Sequence, residues 1–82
     1  MQQDVNLQFR KYLMQVMAKS NIRGLNEETR NSLLRGKERI LEDFFKRFSV
    51  DRSSLQRLAN ESVFLENLNA ADKLLEKSLE HI

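Results

Sequence analysis

The chain has 82 residues, 40% of them apolar and 32% charged, which suits one small folded domain spanning 1–82 rather than a disordered or membrane-embedded chain. It contains no cysteine, and its single histidine is His81, so disulfide staples, thiolate metal sites, cysteine nucleophiles and histidine-based triads are excluded. Proline is absent, glycine occurs only as Gly24 and Gly36, and so few turn formers predict an all-α fold. The formal net charge is only +2.

The first predicted helix covers about 4–22, with Asp4 as its N-cap. Val5, Phe9, Tyr12, Leu13, Val16 and Met17 recur at three- and four-residue steps and fall on one arc about 140° wide, the pattern of an amphipathic helix. Gly24 is placed to close this helix in the left-handed conformation, with Leu25 as the apolar contact that follows such a cap.

Asn26 is the expected cap of a second helix over 27–48, with Glu27 and Glu28 in its first turn where carboxylates meet the positive end of the dipole. Leu33, Leu34, Ile40, Leu41, Phe44, Phe45 and Phe48 form its core face, with Phe44 near the centre. Gly36 lies inside the run and is expected as a tolerated helix glycine costing about 1 kcal/mol relative to alanine. Close packing against another helix, or a local break, is the alternative at that residue.

Asp51 then caps a third helix over 52–60, Val50 and Leu55 forming a hydrophobic staple around it. The apolar positions Leu55, Leu58 and Ala59 do not continue into Phe64, Leu65, Leu68, Ala71, Leu75, Leu79 and Ile82. On one straight helix the two stripes are offset by more than about 100°, against the ~20° per heptad that a supercoil absorbs. A turn at Asn60-Glu61-Ser62 and a final helix over 62–80 follow, with one bent helix as the alternative. The expected architecture is a bundle of three or four helices.

Met1-Gln2-Gln3-Asp4 lacks the order of a secretory signal, and no apolar run approaches the about 20 residues of a membrane span. A cytoplasmic location without membrane association is therefore expected. Catalysis has no visible home. Glu27/Glu28, Glu38/Glu42 and Glu42/Asp43 are explained by helix-start preference and i,i+4 pairing. A Glu-x-x-His metal motif is absent, Ser78 standing three places before His81, and neither glycine belongs to a phosphate loop. No catalytic, cofactor or metal site is expected, and His81 is assigned to a fraying helix end.

What remains are surfaces. Leu7, Met14 and Ala18 lie on the far side of the first helix from its core arc, and a helix apolar on two sides suits contact with a second chain. These three are the candidate partner-binding residues; Val63 and Leu74 are similar off-stripe positions on the last helix. Residues 1–57 carry a net charge of +5 and residues 58–82 a net −3, so a homodimer that pairs the two halves is expected.

Arg35, Arg39 and Lys46 line the face opposite the core of the 27–48 helix, as candidates for binding phosphate or an acidic partner. Glu42 interrupts the stripe, and Glu42–Lys46 and Asp43–Arg47 have the spacing of in-helix ion pairs, so a solvated face is preferred. A helix-turn-helix over Leu55–Leu68 fits poorly, because its recognition segment Phe64-Leu65-Glu66-Asn67 is apolar and acidic where base readers are normally Arg, Lys, Asn or Gln. Ser62-Val63-Phe64-Leu65-Glu66-Asn67 resembles the S/T-x-x-x-E-G/N pattern of inhibitory helices that block Fic-type nucleotidyl transferases. That resemblance covers six residues without support around them, and no function is read from it. The expected function is that of a non-catalytic helical module that binds a protein partner stoichiometrically, as adaptor, inhibitor, regulator or assembly subunit. The alternative is a nucleic-acid-binding regulator using the basic first two-thirds.

Overall fold

The computed structural model describes residues 4–80, and within them the chain forms five α-helices: α1 Val5–Lys19, α2 Glu27–Arg35, α3 Lys37–Phe48, α4 Arg52–Ala59 and α5 Glu61–Glu80. The expectations for His81 and Ile82 fall outside the described residues, and that for Leu79 outside the described side chains.

The expected side-chain caps form on α1 and α2, while Asp51 holds the N-cap position of α4 without capping an amide. Asp4 Oδ1 accepts from the Leu7 amide at 3.2 Å and Asn26 Oδ1 from the Thr29 amide at 2.7 Å, each satisfying a first-turn N–H that has no partner within its helix. Asp51 stands at the start of α4 with extended backbone and accepts from the Ser53 hydroxyl. Val50 is buried and Leu55 packs against the core, as the staple requires.

Two boundaries differ from expectation. α1 ends at Lys19 rather than near residue 22, and the left-handed residue that closes it is Asn21 (φ 56°). The Ile22 amide donates to the Met17 carbonyl at 2.9 Å and the Asn21 amide to that of Ala18 at 3.2 Å, a Schellman closure. Gly24, at φ 88°, turns the loop that follows instead.

The expected 27–48 helix is two helices. Gly36, at φ −91° and ψ 9°, leaves the helical region at the residue with the lowest helix propensity in the run, and the local break is the alternative realised. Lys37, the first residue of α3, donates through Nζ to the Ala59 carbonyl at 2.7 Å, occupying an orphan acceptor at the end of α4. This tie between residues 22 positions apart has no trace in the local pattern.

The expected turn after α4 forms, and α4 and α5 are separate helices rather than one bent helix. Asn60 is extended (ψ 129°), and its Oδ1 accepts from the Ser62 and Val63 amides at 3.0 and 3.3 Å. The turn thus ends α4 and caps α5 with one side chain.

The core centres on Phe9, Phe44 and Phe64, each fully buried. The Phe9 ring lies 4.9 Å from that of Phe44 and 5.8 Å from that of Phe64, within the range in which aromatic pairs contribute beyond their buried area. Leu13, Met17, Leu58, Leu68 and Ala71 are as fully buried around them, and Tyr12, Leu33 of α2, Leu41, Val50 and Leu75 extend the core. α1 and α5 both begin beside Arg57, where Asn6 and Arg10 share a cleft with Val63 and Asn67, so these two helices run side by side in the same direction. α3 runs against α1, placing Phe48 beside Val5 and Asp43 beside Val16 and Lys19.

Candidate interaction surface

The outer face of the α1–α5 pair carries most of the sequence-derived partner residues. Leu7 is 42% exposed and Ala18 is exposed. Met14 is half-buried and packs against the core, so it forms the floor of this face rather than a projection from it. The seam is held by Arg10, whose Nε donates at 2.8 Å to Oδ1 of Asn67, an amide only 1% exposed. Leu74, 37% exposed, follows Asn67 by about two helical turns and projects on the same side. Met14 follows Arg10 by one turn and leans the same way. The apolar residues of both helices therefore share one seam, bordered by exposed Lys11 on α1 and by exposed Glu66, Lys73 and Lys77 on α5.

Arg35, Arg39 and Lys46 are all exposed, but not as one stripe. The break at Gly36 puts Arg35 on α2, where it shares a shallow cleft with Glu27, Glu28 and Asn31. Arg39 and Lys46 stay on the outward side of α3, seven residues apart. Lys46 Nζ lies 3.4 Å from Glu42 and Arg47 Nε 3.1 Å from Asp43, the two pairs the spacing predicted. Two of the three candidate phosphate binders thus have carboxylates beside them.

A second apolar feature lies between α3 and α4: an open groove of about 460 Å³ lined by Leu41, Phe45, Leu55 and Ala59, with Glu38, Glu42, Lys46 and Arg52 at its edges. The Arg52 guanidinium carbon lies 5.7 Å from the Phe45 ring centroid, a cation–π arrangement. The sequence pattern assigned Phe45 and Phe48 to the core face, but the structure leaves Phe45 half-exposed at this edge and Phe48 39% exposed at the end of α3.

Polar chemistry is concentrated where α1 crosses α3. The hydroxyl of the core residue Tyr12 donates to Asp43 in a part-buried contact, and Asp43 also pairs with Arg47. Burial, together with the hydrogen bond to Asp43, pushes the Tyr12 hydroxyl up to about 12. The same bond, with Arg47 nearby, holds the Asp43 carboxyl below its usual value. The hydroxyls of Ser53 and Ser54 hold Asp51 down to about 2. Sequence reading placed Asp43 only in its in-helix pair, because Tyr12 lies 31 residues away. Among the described residues no three His, Cys, Asp or Glu side chains converge to hold a metal ion, and no helix is long and apolar enough to cross a membrane.

No protein-family model matches the chain, and no curated protein or solved structure matches it either.

Proposed function

We propose that the protein is a small, cytoplasmic, non-catalytic helical module that acts by stoichiometric binding to a protein partner, as an adaptor, inhibitor, regulator or assembly subunit. One observation carries this reading. The core is filled by residues from all five helices, yet Leu7 and Leu74 stay exposed on one side of the α1–α5 pair, beyond what the domain's own burial uses.

The test places a benzophenone side chain at Leu7 and, as a control, at exposed Arg39, in cells that make the protein. A saturable one-to-one adduct is expected at Leu7 and not at Arg39. An adduct of twice the chain's own mass identifies a homodimer, and one of any other mass a different protein. Absence of a saturable adduct at Leu7 sinks the reading.

Titration with duplex DNA separates the nucleic-acid alternative. Negligible binding is expected at physiological salt. Micromolar binding whose salt dependence is flattened in the Arg35→Ala, Arg39→Ala, Lys46→Ala variant would replace the protein-binding reading.

A further inference from the structure

We propose that the partner of the α1–α5 seam is an acidic amphipathic helix of another protein, docked along Met14, Ala18 and Leu74 with its carboxylates toward Lys11, Lys73 and Lys77. This names the partner class for the interaction-module reading and rests on it.

The charge at the seam carries the inference. α1 contains Arg10, Lys11 and Lys19 and no acidic residue. Although α5 is acidic overall, its helical phase turns Asp72 and Glu76 away from α1, leaving Lys73, Lys77 and Glu66 on the outward side of the seam. The seam border is thus three lysines to one glutamate, all exposed. None of the four makes an ion pair among the described residues, in contrast to Lys46 and Arg47 on α3. Cations around an apolar strip recruit a ligand of opposite charge and repel one of like charge.

Shape points to a helix. Two helices running side by side present the line between them to a third, and the small side chains of exposed Ala18 and half-buried Ala70 offer little obstruction to a ridge of apolar residues at i, i+3, i+4 and i+7 laid along it. A second copy of the chain is a poor occupant, since pairing this face with itself brings lysine borders together. A lipid surface is disfavoured as well, because only leucines project from the strip, with no Trp or Phe beside them, and Glu66 sits among the cations.

The experiment titrates the ¹⁵N-labelled chain with a model helical peptide of Glu and Leu in amphipathic order, and with a Lys and Leu peptide of the same order. The Glu/Leu peptide is expected to bind saturably, with shifts confined to amides around Lys11, Ala18, Leu74 and Lys77. Its affinity should fall at least about tenfold between 0.05 and 0.5 M salt, because the border charges are exposed and screened. Lys11→Glu with Lys77→Glu should abolish the shifts at unchanged helical content, and the Lys/Leu peptide should not bind the wild type. Failure of the Glu/Leu peptide to bind, equal binding of both peptides, shifts centred on the α3–α4 groove, or tighter binding to phosphatidylglycerol vesicles would each overturn the proposal. The Leu7 adduct is independent of these arms: if it forms while the peptide arm fails, the module reading stands with a partner of different chemistry.

Discussion

Arg10 and Asn67 are separated by 57 residues in the chain, and their side chains meet at 2.8 Å across the α1–α5 seam. Asn67 is only 1% exposed, and a buried amide deprived of its partner costs more than the bond itself contributes. Arg10→Ala, which leaves the Asn67 oxygen without its donor, is expected to destabilise by about 1–3 kcal/mol in urea unfolding. A double-mutant cycle with Asn67→Ala should give a coupling of at least about 0.5 kcal/mol. Strict additivity of the two changes would show that the contact does not hold the helices together.

Phe44 stands where three aromatic neighbours meet, fully buried, with the Phe9, Tyr12 and Phe48 rings 4.9 to 5.4 Å from its own. Phe44→Ala removes this contact set and leaves a cavity that rigid helices close only in part. A loss of about 3–5 kcal/mol is expected, a large share of a small domain's total stability. Phe45→Ala, at the exposed edge of the groove, should cost less than half as much. Equal losses would contradict the assigned face of α3.

The Tyr12–Asp43 contact predicts instability at both ends of the pH scale. Tyr12 holds its proton more tightly folded than unfolded, so its contribution is complete below pH 10 and is lost as pH rises from 10 to about 12. Asp43 and Asp51 are shifted the other way. Their contributions are present above about pH 4 and fade as pH falls below it, for Asp51 through about 2. Tyr12→Phe should remove the part of the alkaline loss that belongs to this hydroxyl and move the Asp43 titration up. Superimposable stability–pH curves for wild type and Tyr12→Phe would exclude the coupling.

The two glycines should respond to alanine in opposite directions. Gly24 has φ 88°, where a Cβ costs about 1–2 kcal/mol from backbone sterics alone. At Gly36 φ is negative, and an added Cβ would lie 3.8 Å from the Ser32 and Leu33 carbonyl oxygens, an ordinary contact. Gly36→Ala is therefore expected to be neutral or to stabilise by up to about 1 kcal/mol, through the lost freedom of the unfolded chain. Thermal unfolding of the two variants decides it, and a Gly36→Ala loss above about 1 kcal/mol would mean that the break depends on the glycine itself.

Many features whose physical cause lies within about four residues were legible from the sequence alone, with the closure of α1 at Asn21 and the break at Gly36 as exceptions. Asp4 and Asn26 start helices because a short polar side chain reaches the amides of the next turn, and Asp51 takes the N-cap position of α4 with its carboxylate on the Ser53 hydroxyl. Asn60 interrupts the chain where the apolar phase jumps, and Glu42–Lys46 and Asp43–Arg47 pair because one helical turn brings them together. The same local logic placed Leu7, Ala18, Arg35, Arg39 and Lys46 at the surface. Only the tertiary structure decided which helices are neighbours, since an apolar arc states that a face is covered but not by what. Tyr12 with Asp43, Lys37 with the Ala59 carbonyl and Arg10 with Asn67 all depend on that choice. So do the half-burial of Met14 and the lysine border of the seam, which forms because α5 lies beside α1 with its acidic side turned away.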